Sequence, residues 1–246
     1  MLLTGNAIAG VSSFQQGEQM RFFVALAVVF TLSPIIALAQ GTETPAWEMS
    51  VGYQYLRADT NVVQKLADSV TNSFTPPLPR INAGSSLSMN GGDFGIEENV
   101  NNWLGGTFDF GGAYGNRHID LSEAVGLPSG SAVAIFRPTI YTFTGGPQFH
   151  YRKGQNFQPF ARILLGGAHA SLSPDDPTQA VLTALVPTFR TDRNSFAGII
   201  GGGVDYLWKD SIAFRVTGDY VRTYLFDEHQ SNLRVTVGVD FRFGSK

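Results

Sequence analysis

The sequence predicts an all-β chain: eight antiparallel strands closed into an up-and-down barrel that crosses a membrane, behind a cleaved signal peptide. Three observations carry this. The first is the segment 233–243, where Leu233, Val235, Val237, Val239, Phe241 and Phe243 alternate with Arg234, Thr236, Gly238, Asp240 and Arg242. Period-two alternation marks a strand with one apolar face. A strand of this length spans a bilayer at a barrel's tilt, and charges on its other face suit the polar inside of a membrane barrel. The second is recurrence: seven further segments precede this one, joined by connections that run long, short, long, short, long, short, long. The third is an export signal near the N-terminus.

That signal begins at Met20-Arg21 and continues as an apolar run from Phe22, closing on the small-x-small site Ala37-Leu38-Ala39. Ser33-Pro34 and the Ala-Leu-Ala end favour cleavage after Ala39 over a membrane anchor. The chain then divides into 1–39 (an extension ahead of Met20 plus the signal peptide), a short periplasmic lead at 40–46, the barrel at 47–243 and a tail at 244–246. With no other long apolar run, the mature chain meets a membrane only as a barrel or at its surface. The absence of cysteine excludes a disulfide scaffold, a thiolate metal site and a Cys-linked lipid anchor. A net charge of −3 offers no basic patch for nucleic acid.

Strand by strand, 47–57 places Trp47, Met49, Val51, Tyr53 and Tyr55 opposite Glu48, Ser50, Gly52 and Gln54. A polar connection at 58–86 carries Pro76, Pro77 and Pro79, with a short helix expected over 62–70. Strands at 87–97 and 103–114 flank the turn 98–102. A second long connection covers 115–134. The strand at 135–152 sets Tyr141, Phe143, Gly145, Phe149 and Tyr151 against Thr142, Thr144, Gln148, His150 and Arg152. Pro147 lies inside it and predicts a bulge or break, because proline donates no ladder bond. After the turn 153–156 comes 157–172, whose alternation is the poorest. A third long connection at 173–194 precedes strands at 195–208 and 211–224, which meet at Lys209-Asp210. The polar run 225–232 reads as the fourth loop. Short turns thus fall on one side and long loops on the other, the plan of a bacterial outer-membrane barrel.

Aromatic residues collect at strand ends. Trp47, Trp103, Tyr151, Phe157, Trp208 and Phe243 lie on the turn side; Tyr55, Tyr114, Phe136 and Tyr224 lie on the loop side. Two belts fit two membrane interfaces. The opposite face mixes glycine with six acids and five arginines: Glu48, Asp93, Asp109, Arg152, Arg162, Asp205, Arg215, Asp219, Arg234, Asp240 and Arg242. An eight-stranded barrel has room for side chains and little else, so these charges must pair. Gly105, Gly111, Gly166, Gly201 and Gly203 leave room for them. The expected outcome is a salt-bridge plug; an ion path is the alternative. Arg215 and Asp219 share a face of one strand, and each is expected to bond a neighbouring strand more than the other.

The final strand also resembles the terminal strand of outer-membrane barrels, read as polar, any, Gly, any, any, apolar, any, aromatic. Here that is Thr236, Gly238, Phe241 and Phe243; the departure is Gly244-Ser245-Lys246 after the last aromatic. Together with Asn101-Asn102-Trp103-Leu104-Gly105-Gly106, the segments 141–147 and 201–205, and the strand plan, residues 45–243 resemble the small OmpA-type outer-membrane β-barrel family. The resemblance implies an outer-membrane location, insertion by the barrel assembly machinery, and outer-membrane lipid and lipopolysaccharide as surroundings. It is nearly silent on activity, because function sits in sites grafted on a fold.

No catalytic motif emerges. A rim hydrolase would need serine, histidine and carboxylate together. The nearest sets are His229 with Asp227, Glu228 and Ser231, and His169 with Ser171; His118 and His150 have no serine partner in view. Asp175-Asp176 and Asp227-Glu228 could touch divalent ions such as those bridging lipopolysaccharide, but carboxylate pairs in loops are usually just hydrated, so neither metal nor other cofactor is expected. The reading is a non-enzymatic barrel with a mostly plugged lumen, serving envelope integrity or surface interaction through long extracellular loops, where an extracellular partner would bind. A narrow porin-like channel and a soluble periplasmic lipocalin-like barrel remain the alternatives.

Overall fold

The computed structural model describes residues 44–60, 86–120, 133–153, 156–175, 192–225 and 228–245, with isolated positions in the connections. The strands are β1 (Trp47–Asp59), β2 (Ser86–Asn99), β3 (Leu104–Tyr114), β4 (Arg117–Asp120), β5 (Val133–His150), β6 (Phe157–Pro174), β7 (Asp192–Lys209), β8 (Ile212–Leu225) and β9 (Glu228–Phe243). Every pairing is antiparallel, and β9 returns to pair with β1. Because β3 and β4 both pair with β5, they are two segments of one wall. The result is a closed barrel of eight strands.

The register fixes its size. Stepping along the ladder from Leu56 passes Arg234, Asp219, Gly201, Arg162, Gln148, Gly105 and Asn99. The circuit returns to β1 at Ala46, whose carbonyl accepts from the Asn99 amide. One turn therefore staggers β1 by ten residues, from Leu56 to Ala46. With ordinary strand rise and spacing, this gives a tilt of about 40° and a backbone radius of about 8 Å. Inward side chains from opposite walls meet across such a radius.

Strands continue past the residues where hydrophobic alternation stops. The expected fourth loop at 225–232 is a correction: β8 and β9 pair up to Leu225↔Glu228, leaving only residues 226–227 to connect them. Likewise β4 lies inside the expected connection 115–134 and pairs with Val133–Phe136. Above the membrane neither face of a strand must be apolar, so the ladder persists without the pattern that signals it. Pro147 produces neither bulge nor break. The β3 side pairs Gly106↔Pro147, and the β5–β6 register is the same on both sides of Gly146-Pro147. The register shift that occurs is between Leu207 and Lys209, beside the β7–β8 turn.

The seam where β9 meets β1 needs glycine. Gly52 and Gly238 are partners, and a Cβ on Gly238 would lie 2.3 Å from the Val51 carbonyl oxygen. Gly244, at φ +67°, turns the chain after β9, and its carbonyl accepts from the Ala46 amide at 3.4 Å. The expected signal peptide and its cleavage site lie outside the described residues. Of the helix expected over 62–70, Gln64 and Asp68 are described; both are helical, and the Gln64 amide donates to the Thr60 carbonyl.

Candidate functional site

Alternation turns the even positions of β1, β5, β6 and β9, and the odd positions of β2, β3, β7 and β8, into the barrel. The arrangement that results has three tiers.

The middle tier centres on Arg234 from β9, which is 1% exposed. Its Nε donates to Asp219 Oδ2 at 2.9 Å, its Nη1 to Asp93 Oδ2 at 3.1 Å and Asp109 Oδ1 at 2.9 Å, and its Nη2 to Asp109 Oδ2 at 3.2 Å. Arg162 from β6 closes the other side. It makes a two-pronged contact with Asp219 at 3.0 and 2.7 Å, and an ion pair with Asp109 at 3.1 Å. Five strands are tied across the lumen by two guanidinium forks, whose planar geometry serves several carboxylates at once.

The lower tier sits toward the short turns. Arg215 grips Asp205 with Nε and Nη2 at 2.7 and 2.8 Å and reaches Glu48 at 3.0 Å, with its guanidinium over the Phe160 ring. Arg242 contacts Asp205, Asp240 and Gln158. Arg152 donates to Glu48 and to Asn99. The neighbouring strand β2 adds Glu97, the ladder partner of Glu48, which accepts from Gln148 at 2.6 Å and pairs with His150 at 2.7 Å. Between the tiers, Gln54, Thr236 and Thr217 form a row of ladder partners.

Arg215 and Asp219 thus belong to different tiers and each bonds other strands. Glu97 is a member that sequence reasoning missed, although its spacing of four from Asp93 puts both on one face of β2. His150, Gln148 and Asn99 join it. Gly105, Gly111 and Gly201 do adjoin Glu97, Arg234 and Asp219 respectively, whereas Gly166 faces neighbouring backbone and Gly203 faces the Val216 carbonyl and the Phe160 ring.

The upper tier is apolar: Leu56, Ala58, Leu87, Met89, Ala113, Ile140 and Ala170 form one buried cluster. Phe136 also points inward and is buried, rather than joining the outer belt. The interior is therefore not uniformly ionic: its loop-side end is mostly apolar, with Thr223, Gln230 and Asn232 buried on the β8–β9 side.

Outside, the surface changes character. The side chains of Trp47, Trp103, Tyr151 and Trp208 are exposed near the turns, and those of Tyr55, Tyr114 and Tyr224 are exposed near the loops. Tyr53, Tyr141 and Tyr220 extend the loop-side belt. Its hydroxyls are paired: Tyr114 with Tyr141 at 2.7 Å, Tyr55 with Ser88 at 2.8 Å, and Tyr220 donating to Ser231 at 2.7 Å. In β8, Phe214 and Tyr224 mark the two levels ten residues apart. At this tilt that is roughly 25 Å, the height of an outer-membrane apolar band. Between the belts, the outward-facing side chains of the described residues are uncharged except for Arg222, two residues short of Tyr224 at the loop-side edge. Of the terminal motif, Thr236 and Gly238 face inward and Phe241 faces lipid in the turn-side belt.

The candidate hydrolytic groups are not assembled. His169 Nδ1 meets Asn194 Oδ1 at 2.7 Å, His229 stacks near Tyr224, and Ser231 accepts from Tyr220. Two buried groups have metal-compatible spacing, Glu48–Glu97–His150 and Glu48–Asp205–Asp240. Arg152, Arg215 and Arg242 already occupy Glu48, Asp205 and Asp240, while Glu97 is held by Gln148 and His150, so a cation at either group would compete with a guanidinium for Glu48.

A closed eight-stranded barrel, apolar and belted outside and ionic inside, is a transmembrane β-barrel of the bacterial outer membrane. Similar architectures occur among solved structures. The attachment invasion locus protein Ail of Yersinia pestis, in complex with the heparin analogue sucrose octasulfate, is 16% identical, with 80% of this chain and 99% of that one covered and a TM-score of 0.45. Neisserial surface protein A is 9% identical over 80% and 97% of the two chains, with a TM-score of 0.46. The N-terminal β-barrel domain of Pseudomonas aeruginosa OprF is 12% identical over 80% and 98%, with a TM-score of 0.34. No protein-family model and no curated protein matches the chain.

Proposed function

We propose that this protein is a non-enzymatic outer-membrane barrel with a closed lumen, acting in envelope integrity or surface interaction through its long connections. The observation that carries the reading is the stacking of two ion-pair tiers beneath an apolar one inside a barrel of about 8 Å backbone radius. A hydrated path would have to break buried ion pairs and also cross a tier that is mostly apolar. The connections at 60–85, 121–132 and 175–191 emerge together on the side opposite the short turns, and recognition concentrates on loops held by a rigid scaffold. The terminal motif and the export signal support delivery by the barrel assembly machinery. The test is conductance in planar bilayers using barrels whose folding is verified by gel mobility. The closed-lumen reading expects no discrete steps. Reproducible steps that vanish when Arg215 and Asp219 are both replaced would replace it with the channel reading. For the loops, replacing 176–191 by a short turn should leave the barrel folded and alter only surface phenotypes; loss of folding would contradict the division of labour.

A further inference from the structure

At the height of the tyrosine belt two arginines point outward, into the zone of the lipid headgroups. Arg57 is in β1 and Arg222 in β8; both are exposed. β9 lies between these strands, with Leu233 paired to Arg57 and Ser231 paired to Arg222. The two guanidinium groups therefore flank one strand, at backbone positions about 10 Å apart. Neither forms an ion pair within the described residues, in contrast to the inward arginines of the two tiers. Asp59 is the acid nearest Arg57 on the same face and lies further toward the loops. Between the arginines, Ser231 accepts from the Tyr220 hydroxyl at 2.7 Å, which leaves its own proton free to donate. The next outward positions toward the membrane centre are Tyr55 and Tyr53 on β1, Leu233 on β9 and Tyr220 on β8, and below them come Val51, Val235 and Val216.

We infer that Arg57, Arg222 and Ser231 form a binding site for the phosphate of a phosphorylated glycolipid of the outer leaflet. A guanidinium in the headgroup zone is drawn to anionic lipid groups, and a phosphate matches its fork with two charge-assisted hydrogen bonds. Beneath the tyrosine row, Leu233, Val235, Val216 and Val51 offer an aliphatic surface to the acyl chains of the same molecule, so charge and hydrocarbon face the parts of one lipid. Two arginines flanking one strand can grip one phosphate together or two neighbouring phosphates of one headgroup. The inference concerns the lipid-facing wall and is independent of what the loops bind.

The test compares wild type with R57Q/R222Q, both refolded in detergent and both verified by heat-dependent gel mobility. Each is titrated with phosphorylated lipid A and with dephosphorylated lipid A of the same acyl composition. Wild type should bind the phosphorylated form at least tenfold more tightly, the double variant should lose that preference, and R57K/R222K should recover part of it. K209Q, at the opposite rim, should behave as wild type. Equal affinity of wild type for the two lipids would overturn the inference, as would a preference that survives in R57Q/R222Q or is lost equally in K209Q.

Discussion

Replacing Arg234 by glutamine removes the hub of the middle tier. Three carboxylates, Asp93, Asp109 and Asp219, then share the single guanidinium of Arg162, and the contacts at 2.9 to 3.2 Å from β9 are lost. Breaking a buried ion pair from one side costs about 3–5 kcal/mol, because the abandoned charge stays buried. Arg162 reorients to offset only part of this, since it is already committed to Asp219 and Asp109. The expected loss is therefore about 3 kcal/mol or more. Equilibrium unfolding of the barrel in lipid vesicles by urea reads it as a lower midpoint at unchanged slope. R234K should fall between, because a point charge cannot replace a fork that reaches three acids. Adding D109N to R234Q should cost less than the sum of the singles, with about 1–3 kcal/mol of coupling. A loss below about 1 kcal/mol for R234Q, with no coupling to Asp109, would refute the account of the tier as a fully paired network.

Three further outcomes follow from particular contacts. A double-mutant cycle on Arg215 and Asp219 should show coupling below about 0.5 kcal/mol, whereas Arg215 with Asp205 should couple by about 1–3 kcal/mol, because only the second pair is in contact. G238V should impair folding more than V237A, since its Cβ would press on the Val51 carbonyl at the closing seam; the folded fraction on unheated gels measures this. H150L leaves Glu97 with Gln148 alone and should lower stability by about 1–3 kcal/mol, while H118L, at an exposed position, should stay within about 0.5 kcal/mol of wild type.

Much of the barrel was legible because a membrane imposes a strict pattern. The outward face must be apolar between the belts, so β8 and β9 reveal themselves residue by residue. The inward charges were legible for the same reason: Arg234 and Asp240 are the complement of the valines around them. What alternation cannot convey is anything beyond the lipid. His229 and Ser231 look like loop residues in sequence, yet they are strand residues at the edge of the lipid, where polar side chains suit both faces. Partner choice inside the lumen was also hidden, because it depends on the ten-residue stagger, which no single strand encodes. That stagger puts Arg234 against Asp93 and Asp109, far apart in the chain, whereas Arg215 and Asp219, four residues apart on β8, are parted by the strand's own rise, about 13 Å. The apolar upper tier escaped notice because Leu56, Met89 and Ile140 each look like an isolated exception within a polar face.

The central claim is a closed barrel resident in the outer membrane. Gel mobility with and without boiling, on protein recovered from an outer-membrane fraction, tests it most directly. The account predicts a detergent-resistant band that changes apparent mass only on heating, found in that fraction. A soluble periplasmic protein with the same mobility before and after boiling would contradict it and favour a lipocalin-like carrier.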